Sequence, residues 1–308
     1  MTEHDRPAPT FARAQDGTAL AYQHRGEGPP LVLLAGQAND HHWWDGVRED
    51  FHTVRSTVTL DLRGTGDSDK PEGPYSVAQF ADDVVAVLDA IGIERADVYG
   101  TSMGGRVAQW LAIRHPERVR RLVLGCTSPG GPHAVERDAS VRRSLAQPDP
   151  EAVRRVLADL MYSPAWRAAH PGPYRTLGDP RMPAHARRGH LIASNEHDAW
   201  SELPGIAAPT LILHGDQDRL TPPDNLRLLA SRIPGARAHL FPGARHAYFE
   251  ECRDEAGKLV RRFLVEEGCS RATERDRGRA SAPSDSGDPL GEEVRPRAAQ
   301  EARSTYWA

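Results

Sequence analysis

The run Val98-Tyr99-Gly100-Thr101-Ser102-Met103-Gly104-Gly105 decides the reading of this chain. Ala96 to Tyr99 leads into it as a strand, and Met103 to Ile113 leaves it as a helix. A serine with glycines two residues away on each side, set between strand and helix, is the Gly-x-Ser-x-Gly pattern of a presented nucleophile. The glycines have a steric reason. Ser102 has to sit on a strained turn, at positive φ, for its hydroxyl to point out of the sheet top, and side chains at 100 and 104 would collide with each other or with the turn. The helix that starts at Met103 aims its first amides and its partial positive charge at the place where an oxyanion would form. An ordinary glycine-rich turn has the same pattern, so the rest of the chain must supply a base, an acid and a second oxyanion donor.

Strand and helix signals alternate on both sides of this run. Residues 11–15 and 18–23 read as a hairpin on Asp16-Gly17. Leu31-Val-Leu-Leu34 is apolar throughout, as a strand buried on both faces is. A helix is expected from Asp40 towards Asp50, carrying Trp43 and Trp44, and a strand over Thr53–Leu60. Ser76 and Gln79 are spaced as a capping box, and Phe80, Val84, Val87, Leu88 and Ile91 form the apolar stripe of a helix that Gly92 ends. Further strands are expected at 119–124, 210–213 and 236–241, with helices at 224–233 and 253–265. This alternation predicts an α/β fold, a mostly parallel, doubly wound sheet with helices on both faces. Its core comprises residues 10–132 and 206–266. Residues 133–205, rich in Arg, Ala, His and Pro, show helical stretches near 137–146, 151–162 and 184–199 and no strand pattern; they read as an inserted helical cap. Residues 267–308 are charged and almost free of aliphatics, the composition of a disordered tail; the terminal Tyr306-Trp307 is either part of that tail or a docking motif.

Composition narrows the function classes. The 308 residues fit one large α/β domain, and a net charge of −4 leaves no electrostatic footprint for nucleic acid. No apolar run approaches the roughly 20 residues of a membrane span. Cys126, Cys252 and Cys269 are odd in number and widely spaced, which suggests neither a disulfide framework nor a metal motif and favours a reducing, cytoplasmic setting. Met1 to Pro9 contains no apolar segment of the signal-peptide kind.

A serine hydroxyl needs an imidazole to take its proton and a carboxylate to orient that imidazole. Strand 210–213 runs into His214-Gly215-Asp216-Gln217-Asp218, and strand 236–241 into Pro242-Gly243-Ala244-Arg245-His246. Both loops lie past the C-terminal ends of parallel strands, the edge where Ser102 sits and where open α/β sheets bind ligands. His246 is singled out among 14 histidines by this position. Asp216 and Asp218 compete for the acid, the other fixing the loop; His214 reads as a packed loop residue. The second oxyanion donor is expected from the loop after strand 31–34, the amide of Gln37 paired with that of Met103, with Gly36 allowing close backbone approach.

Together, Leu33-Leu-Ala-Gly36-Gln37 with Trp44, Asp61-Leu-Arg-Gly64-Thr-Gly66-Asp-Ser68, Gly100-Thr-Ser102-Met-Gly104-Gly105, His214-Gly-Asp-Gln-Asp218 and Gly243-Ala-Arg-His246 resemble the α/β-hydrolase fold family over about Phe11 to Val265. The resemblance implies Ser102 as nucleophile, Asp218 as acid and His246 as base. One departure is Ala35-Gly36, where many relatives carry His-Gly. Within the family, Thr101-Ser102-Met103-Gly104-Gly105-Arg-Val-Ala-Gln109 and the short cap look like the bacterial branch of 3-oxoadipate enol-lactonases, small-molecule esterases and cofactor-free haloperoxidases. The serine nucleophile separates the chain from haloalkane dehalogenases and epoxide hydrolases, which use aspartate there.

The expected activity is therefore hydrolysis of a small-molecule carboxylic ester or lactone through an acyl-enzyme, with no cofactor and no metal. Perhydrolase or haloperoxidase-type chemistry, or C–C bond hydrolysis, is the alternative on the same fold; a non-catalytic ligand receptor is more remote. Trp43, Trp44, Met161, Tyr162, Trp166 and Trp200 are candidates for an aromatic substrate pocket, or else pack the cap on the sheet. Arg137, Arg142 and Arg187 could meet an acidic substrate, or be solvated.

Overall fold

The computed structural model describes residues 9–266; the readings made for the tail, with Cys269, Tyr306 and Trp307, and for Met1–Ala8, lie outside them. One sheet of eight strands forms the frame: β1 (Thr10–Arg13), β2 (Ala19–Arg25), β3 (Pro30–Leu34), β4 (Ser56–Leu60), β5 (Ala96–Thr101), β6 (Val119–Gly125), β7 (Thr210–Gly215) and β8 (Arg237–Phe241). Their order is β1-β2-β4-β3-β5-β6-β7-β8. The hairpin strands β1 and β2 pair antiparallel, as do β2 and β4; every other neighbouring pair is parallel.

Alternation along the strands assigns side chains to two cores. Val32, Leu34, Val98, Leu122, Leu124 and Ile212 face helices α1 (Val77–Ala90), α2 (Met103–Arg114) and α7 (Asp224–Arg232). Leu31, Leu33, Tyr99, Val123, Leu211 and Leu213 face the opposite layer, where Phe249 of the short helix α8 (Tyr248–Glu251) and Val260 and Phe263 of α9 (Arg253–Val265) pack. Every residue of β4, β5 and β7 is buried, although β4 carries the hydroxyls of Ser56, Thr57 and Thr59 and β5 the carboxylate of Asp97.

The chain reverses its winding direction between β3 and β5. Leu34 stands opposite Gly100 in their shared register. Two residues beyond Gly100 is Ser102; three beyond Leu34 is Gln37. Both loops therefore open into the crevice at the switch point of the sheet, the place where α/β sheets bind ligands.

Local signals act largely as expected. Ser76 Oγ accepts from the Gln79 amide at 3.1 Å, whereas the Gln79 side-chain oxygen has no partner, so only half of the capping box forms. Gly92, at φ 69°, ends α1 as Ile93 N donates back to Leu88 O. Three expectations need correction. The helix over 40–50 is two separate 3-10 turns, His41–Trp44 and Arg48–Phe51. Gly46, a poor helix former, lies between them and is pressed so close to Glu250 that a Cβ would stand 2.7 Å from its carboxylate. β4 begins at Ser56 rather than Thr53, because Val54 N and Arg55 N turn back to Phe51 O. The third correction lies in the segment from 133 to 205. It holds α3 (Ala139–Leu145), α4 (Pro150–Met161), α5 (Pro164–Ala169) and α6 (Ala184–Asn195). α5 was not foreseen; Pro164 starts it and Ser163 caps it. α6 stops at Asn195, four residues early, because Gly131 N bonds His197 O and Ala199 N bonds Pro129 O. No helix among the described residues is long and apolar enough to cross a membrane.

Gly104 is the closest contact between α2 and β3. A Cβ there would lie 2.2 Å from Leu34 O and 2.6 Å from Ala35 O. Gly104→Ala should therefore destabilise the protein by about 3 kcal/mol or more, or abolish folding, as read by the urea unfolding midpoint.

Candidate active site

Ser102 has φ 55° and ψ −122°, a conformation that non-glycine residues avoid. Its surroundings hold it there. Ser102 N donates to Gly125 O at 2.9 Å, and Thr127 Oγ1 donates to Ser102 O at 2.7 Å. A Cβ on Gly100 would stand 2.1 Å from Gly104 O, so both flanking glycines are sterically required.

The loops after β7 and β8 bring Asp218 and His246 together. His246 Nδ1 lies 2.7 Å from Asp218 Oδ2, and both residues are buried. Oδ1 of Asp218 accepts from the amides of Leu220 and Thr221 at 2.8 and 2.9 Å. Burial alone would raise the Asp218 carboxyl; the facing His246 charge and the hydrogen bonds from His214 and His246 outweigh it and hold the group well below the usual carboxylate range. With Nδ1 turned to Asp218, Nε2 is the ring nitrogen left to face a reacting group. That Nε2 is buried and has no hydrogen-bond partner among the described residues. Ser102 and His246 line one cavity of about 610 Å³, although no hydrogen bond joins Ser102 Oγ to Nε2 in this arrangement. Catalytic contacts of this kind tighten when substrate binds.

Two further residues hold these loops, Asp216 as a loop-fixing aspartate would and His214 in a way its sequence reading did not contain. Asp216 accepts from Gly243 N at 2.8 Å and so ties the β7 loop to the β8 loop. His214, read as a packed loop residue, is the last but one residue of β7 and touches the acid directly. Its Nε2 lies 3.1 Å from Asp218 Oδ2 and 2.8 Å from Thr221 O. Both partners accept, so Nε2 carries the hydrogen; Asp218 thus receives four donors. The sequence offered a signal for this in the four-residue spacing of His214 and Asp218 across a tight loop, but no way of telling contact from proximity.

Gln37 and Met103 border the same cavity, and neither amide hydrogen-bonds elsewhere among the described residues. The loop that carries Gln37 is held from three sides. Trp43 packs on Gly36, where a Cβ would meet its ring at 2.6 Å, and Trp43 Nε1 donates to Thr101 Oγ1 at 2.9 Å. Gly178 N donates to Asn39 Oδ1 at 2.8 Å, and Asp179 N to Ala38 O at 2.7 Å. From α6, His190 places Nε2 on Arg63 O at 2.8 Å, and its Nδ1 accepts from Ala38 N at 3.3 Å. No local spacing signals that a histidine 152 positions from Ala38 steadies this loop.

Of the six pocket candidates, Trp43 and Met161 border the cavity and four do not. Trp44 is fully buried beneath the site, its ring 4.9 Å from Tyr99 and 5.5 Å from Phe249. Tyr162 is buried, with its hydroxyl on Thr176 and Glu250. Trp166 is stacked between Tyr162 and His170. Trp200 lies against His133 and the Arg232 guanidinium. Large flat rings found better partners in one another than in the cavity wall. Of the three arginine candidates, Arg137 and Arg187 reach the cavity; Arg142 is exposed beside Glu136. Among the described residues, no group of three or more His, Cys, Asp or Glu side chains is placed to hold a metal.

His190 gives a pH prediction. Burial pushes its imidazole down to about 4, against an ordinary value near 6.5, and the Arg63 carbonyl only partly opposes this. The native state therefore favours the neutral ring. The stability this gives is complete above pH 6.5 and is lost as pH falls from there towards 4. His190 alone should lower unfolding stability by about 2 kcal/mol between pH 7 and pH 5. A His190→Gln protein should show a correspondingly shallower decline in urea titrations.

Residues 29–251 match the family model described as alpha/beta hydrolase fold. The chain is 33% identical over 257 residues to a 2-hydroxymuconate semialdehyde hydrolase of Pseudomonas putida, covering 79% of this chain and 89% of that one. Among solved structures, an enol-lactonase from Burkholderia xenovorans superposes with a TM-score of 0.75 at 27% identity, covering 83% of this chain and all of that one. A hydrolase from Pseudomonas aeruginosa gives 0.74 at 30% identity, covering 85% of this chain and 100% of the other. With its eight-stranded sheet and the site at the switch point, the chain belongs to the α/β-hydrolase fold family and is a hydrolase.

Proposed function

We propose that the protein hydrolyses a carboxylic ester or lactone of a small molecule through Ser102, His246 and Asp218. The observation that carries this reading is the opening of one cavity onto both Ser102, at φ 55°, and His246, whose Nδ1 is 2.7 Å from a buried Asp218. Ser102 Oγ adds to the substrate carbonyl as His246 Nε2 takes its proton. The resulting oxyanion accepts from the amides of Gln37 and Met103, and each such donor contributes about 3 kcal/mol to a transition state of this kind. The imidazolium returns its proton to the departing alkoxide, leaving an acyl-enzyme. Water then repeats the sequence with His246 as base and releases the acid. No cofactor enters any step.

The 33% identity to a semialdehyde hydrolase favours one second reading, in which the same serine and histidine cleave a carbon–carbon bond beside a carbonyl. Parallel assays with activated esters, lactones and β-diketones separate the two.

A fluorophosphonate should label Ser102 stoichiometrically. Ser102→Ala should lose label and turnover by about 10⁶-fold at nearly unchanged melting temperature; retention of more than a thousandth of the activity removes the proposal.

Asp218→Asn should lower turnover by about 10⁴-fold by favouring the wrong imidazole tautomer. Asp216→Asn should act mainly on stability. Exchanged phenotypes would transfer the acid role to Asp216.

A further inference from the structure

We propose that the cavity selects substrates with a free carboxylate on the acyl side, held between the guanidiniums of Arg106 and Arg137. This rests on the hydrolase reading of the same cavity and adds the chemical class of the ligand.

The argument starts from charge. The chain carries a net −4, yet Arg106, Arg137, Arg154 and Arg187 border the cavity against only two carboxylates, Glu151 and Asp179. Asp179 is committed elsewhere: its oxygens accept from Gly66 N and Arg181 N at 2.8 Å each. Glu151 is exposed at the start of α4.

Elsewhere in this protein, arginines at buried positions are neutralised or saturated. Arg55 pairs with Asp97 at 2.7 Å, and Arg63 with Asp16 and Asp83 at 2.6 Å each. Arg48 lacks a carboxylate, but its three nitrogens all donate to Gln23 and Thr57. Arg137 breaks this rule, and Arg106, though hydrogen-bonded, has no carboxylate beside it. Among the described residues, no carboxylate lies within 4.0 Å of either guanidinium. Arg106 uses Nη1 on Ser194 O at 2.5 Å and Ser194 Oγ at 2.8 Å, and Nη2 on Ser128 Oγ at 3.0 Å; Arg137 takes part in no hydrogen bond among the described residues. The nearest acidic side chain along the chain, Glu136, faces Arg142 at the surface.

Position completes the argument. Arg106 is four residues after Ser102, one turn along the same face of α2, which advances about 6 Å. Two like charges bordering one half-buried space are stable there at a cost that an anion removes. Burial and the charge of Arg137 already push the Arg106 guanidinium down to about 10. A carboxylate in this space would accept from the free fork of Arg137, the geometry in which arginine recognises carboxylates best, and from the donors that Arg106 has left.

The test compares p-nitrophenyl butyrate and hexanoate with the p-nitrophenyl half-esters of succinate, glutarate and adipate. Wild-type kcat/KM should favour the best half-ester over the neutral ester of similar length by 10-fold or more, and the preferred length reads out the distance from Ser102. Arg137→Gln should shrink this ratio at least 10-fold, chiefly through KM, Arg137→Lys should retain part of it, and Arg137→Glu should reverse it. Since Arg137 bonds nothing among the described residues, these variants spare the packing that an Arg106 variant would disturb. Independently, glutarate should bind the folded Ser102→Ala protein by calorimetry, and not its Arg137→Gln derivative. A wild-type ratio near one, or a ratio that Arg137→Gln leaves unchanged, overturns the proposal even if neutral esters turn over. If no ester is hydrolysed while glutarate still binds in an Arg137-dependent way, the ester reading fails and the carboxylate site stands.

Discussion

The structure depends on a close approach of backbone to backbone. α2 starts so near β3 that only glycine fits at 104, and the return of the helix under Gly100 leaves no room for a side chain there either. That contact fixes the angle at which β5 turns into α2. The angle in turn forces Ser102 into a φ of 55°, sets its hydroxyl on the cavity, and carries Arg106 to the wall one turn later. Strain at one residue is sustained by packing at several others, which is how strained positions persist in folded proteins.

Asp218 shows a second economy. A carboxylate with no exposure is costly unless its lone pairs are filled. Here two loop amides and two imidazoles fill them. The same four donors that make the charge tolerable also fix the plane of the carboxylate and so the direction of His246. Stability and orientation are one arrangement. His214, whose Nδ1 is left without a partner in the interior, bears part of the cost.

Much of this was legible from residue order. Glycines at 100 and 104 declared the turn, and runs such as Leu31–Leu34 and Thr210–Leu213 declared strands covered on both faces. The placement of His246 followed from counting strands, because a parallel sheet delivers all its C-terminal loops to one edge. What could not be read were contacts that depend on cap geometry. Trp166 and Trp200 are aromatic residues in a helical insertion, but amphipathic patterning does not say whether a ring turns inward to a cavity or sideways to another ring. The hold of His190 on the Ala38 amide, like the pairing of Arg106 with Ser194, joins residues many positions apart, and no local periodicity encodes it. Short elements failed for a different reason: between Asp40 and Asp50, helix propensity is weak enough that the docking of Trp43 and Trp44 decides the backbone.

Helix α6 is sewn to the catalytic frame at two points. His190 accepts from the amide beside Gln37, and Ser194 receives the arginine that follows Ser102 by one turn. Lifting this helix away would unfasten the Gln37 loop and release Arg106 together. The end of α4 is sewn on as well: Ala247 N donates to Met161 O at 2.9 Å, and Arg245 pairs with Asp159 at 2.9 Å. The insertion is thus fastened to the loops that carry Gln37, Ser102 and His246, so a change that loosens it is felt at all three.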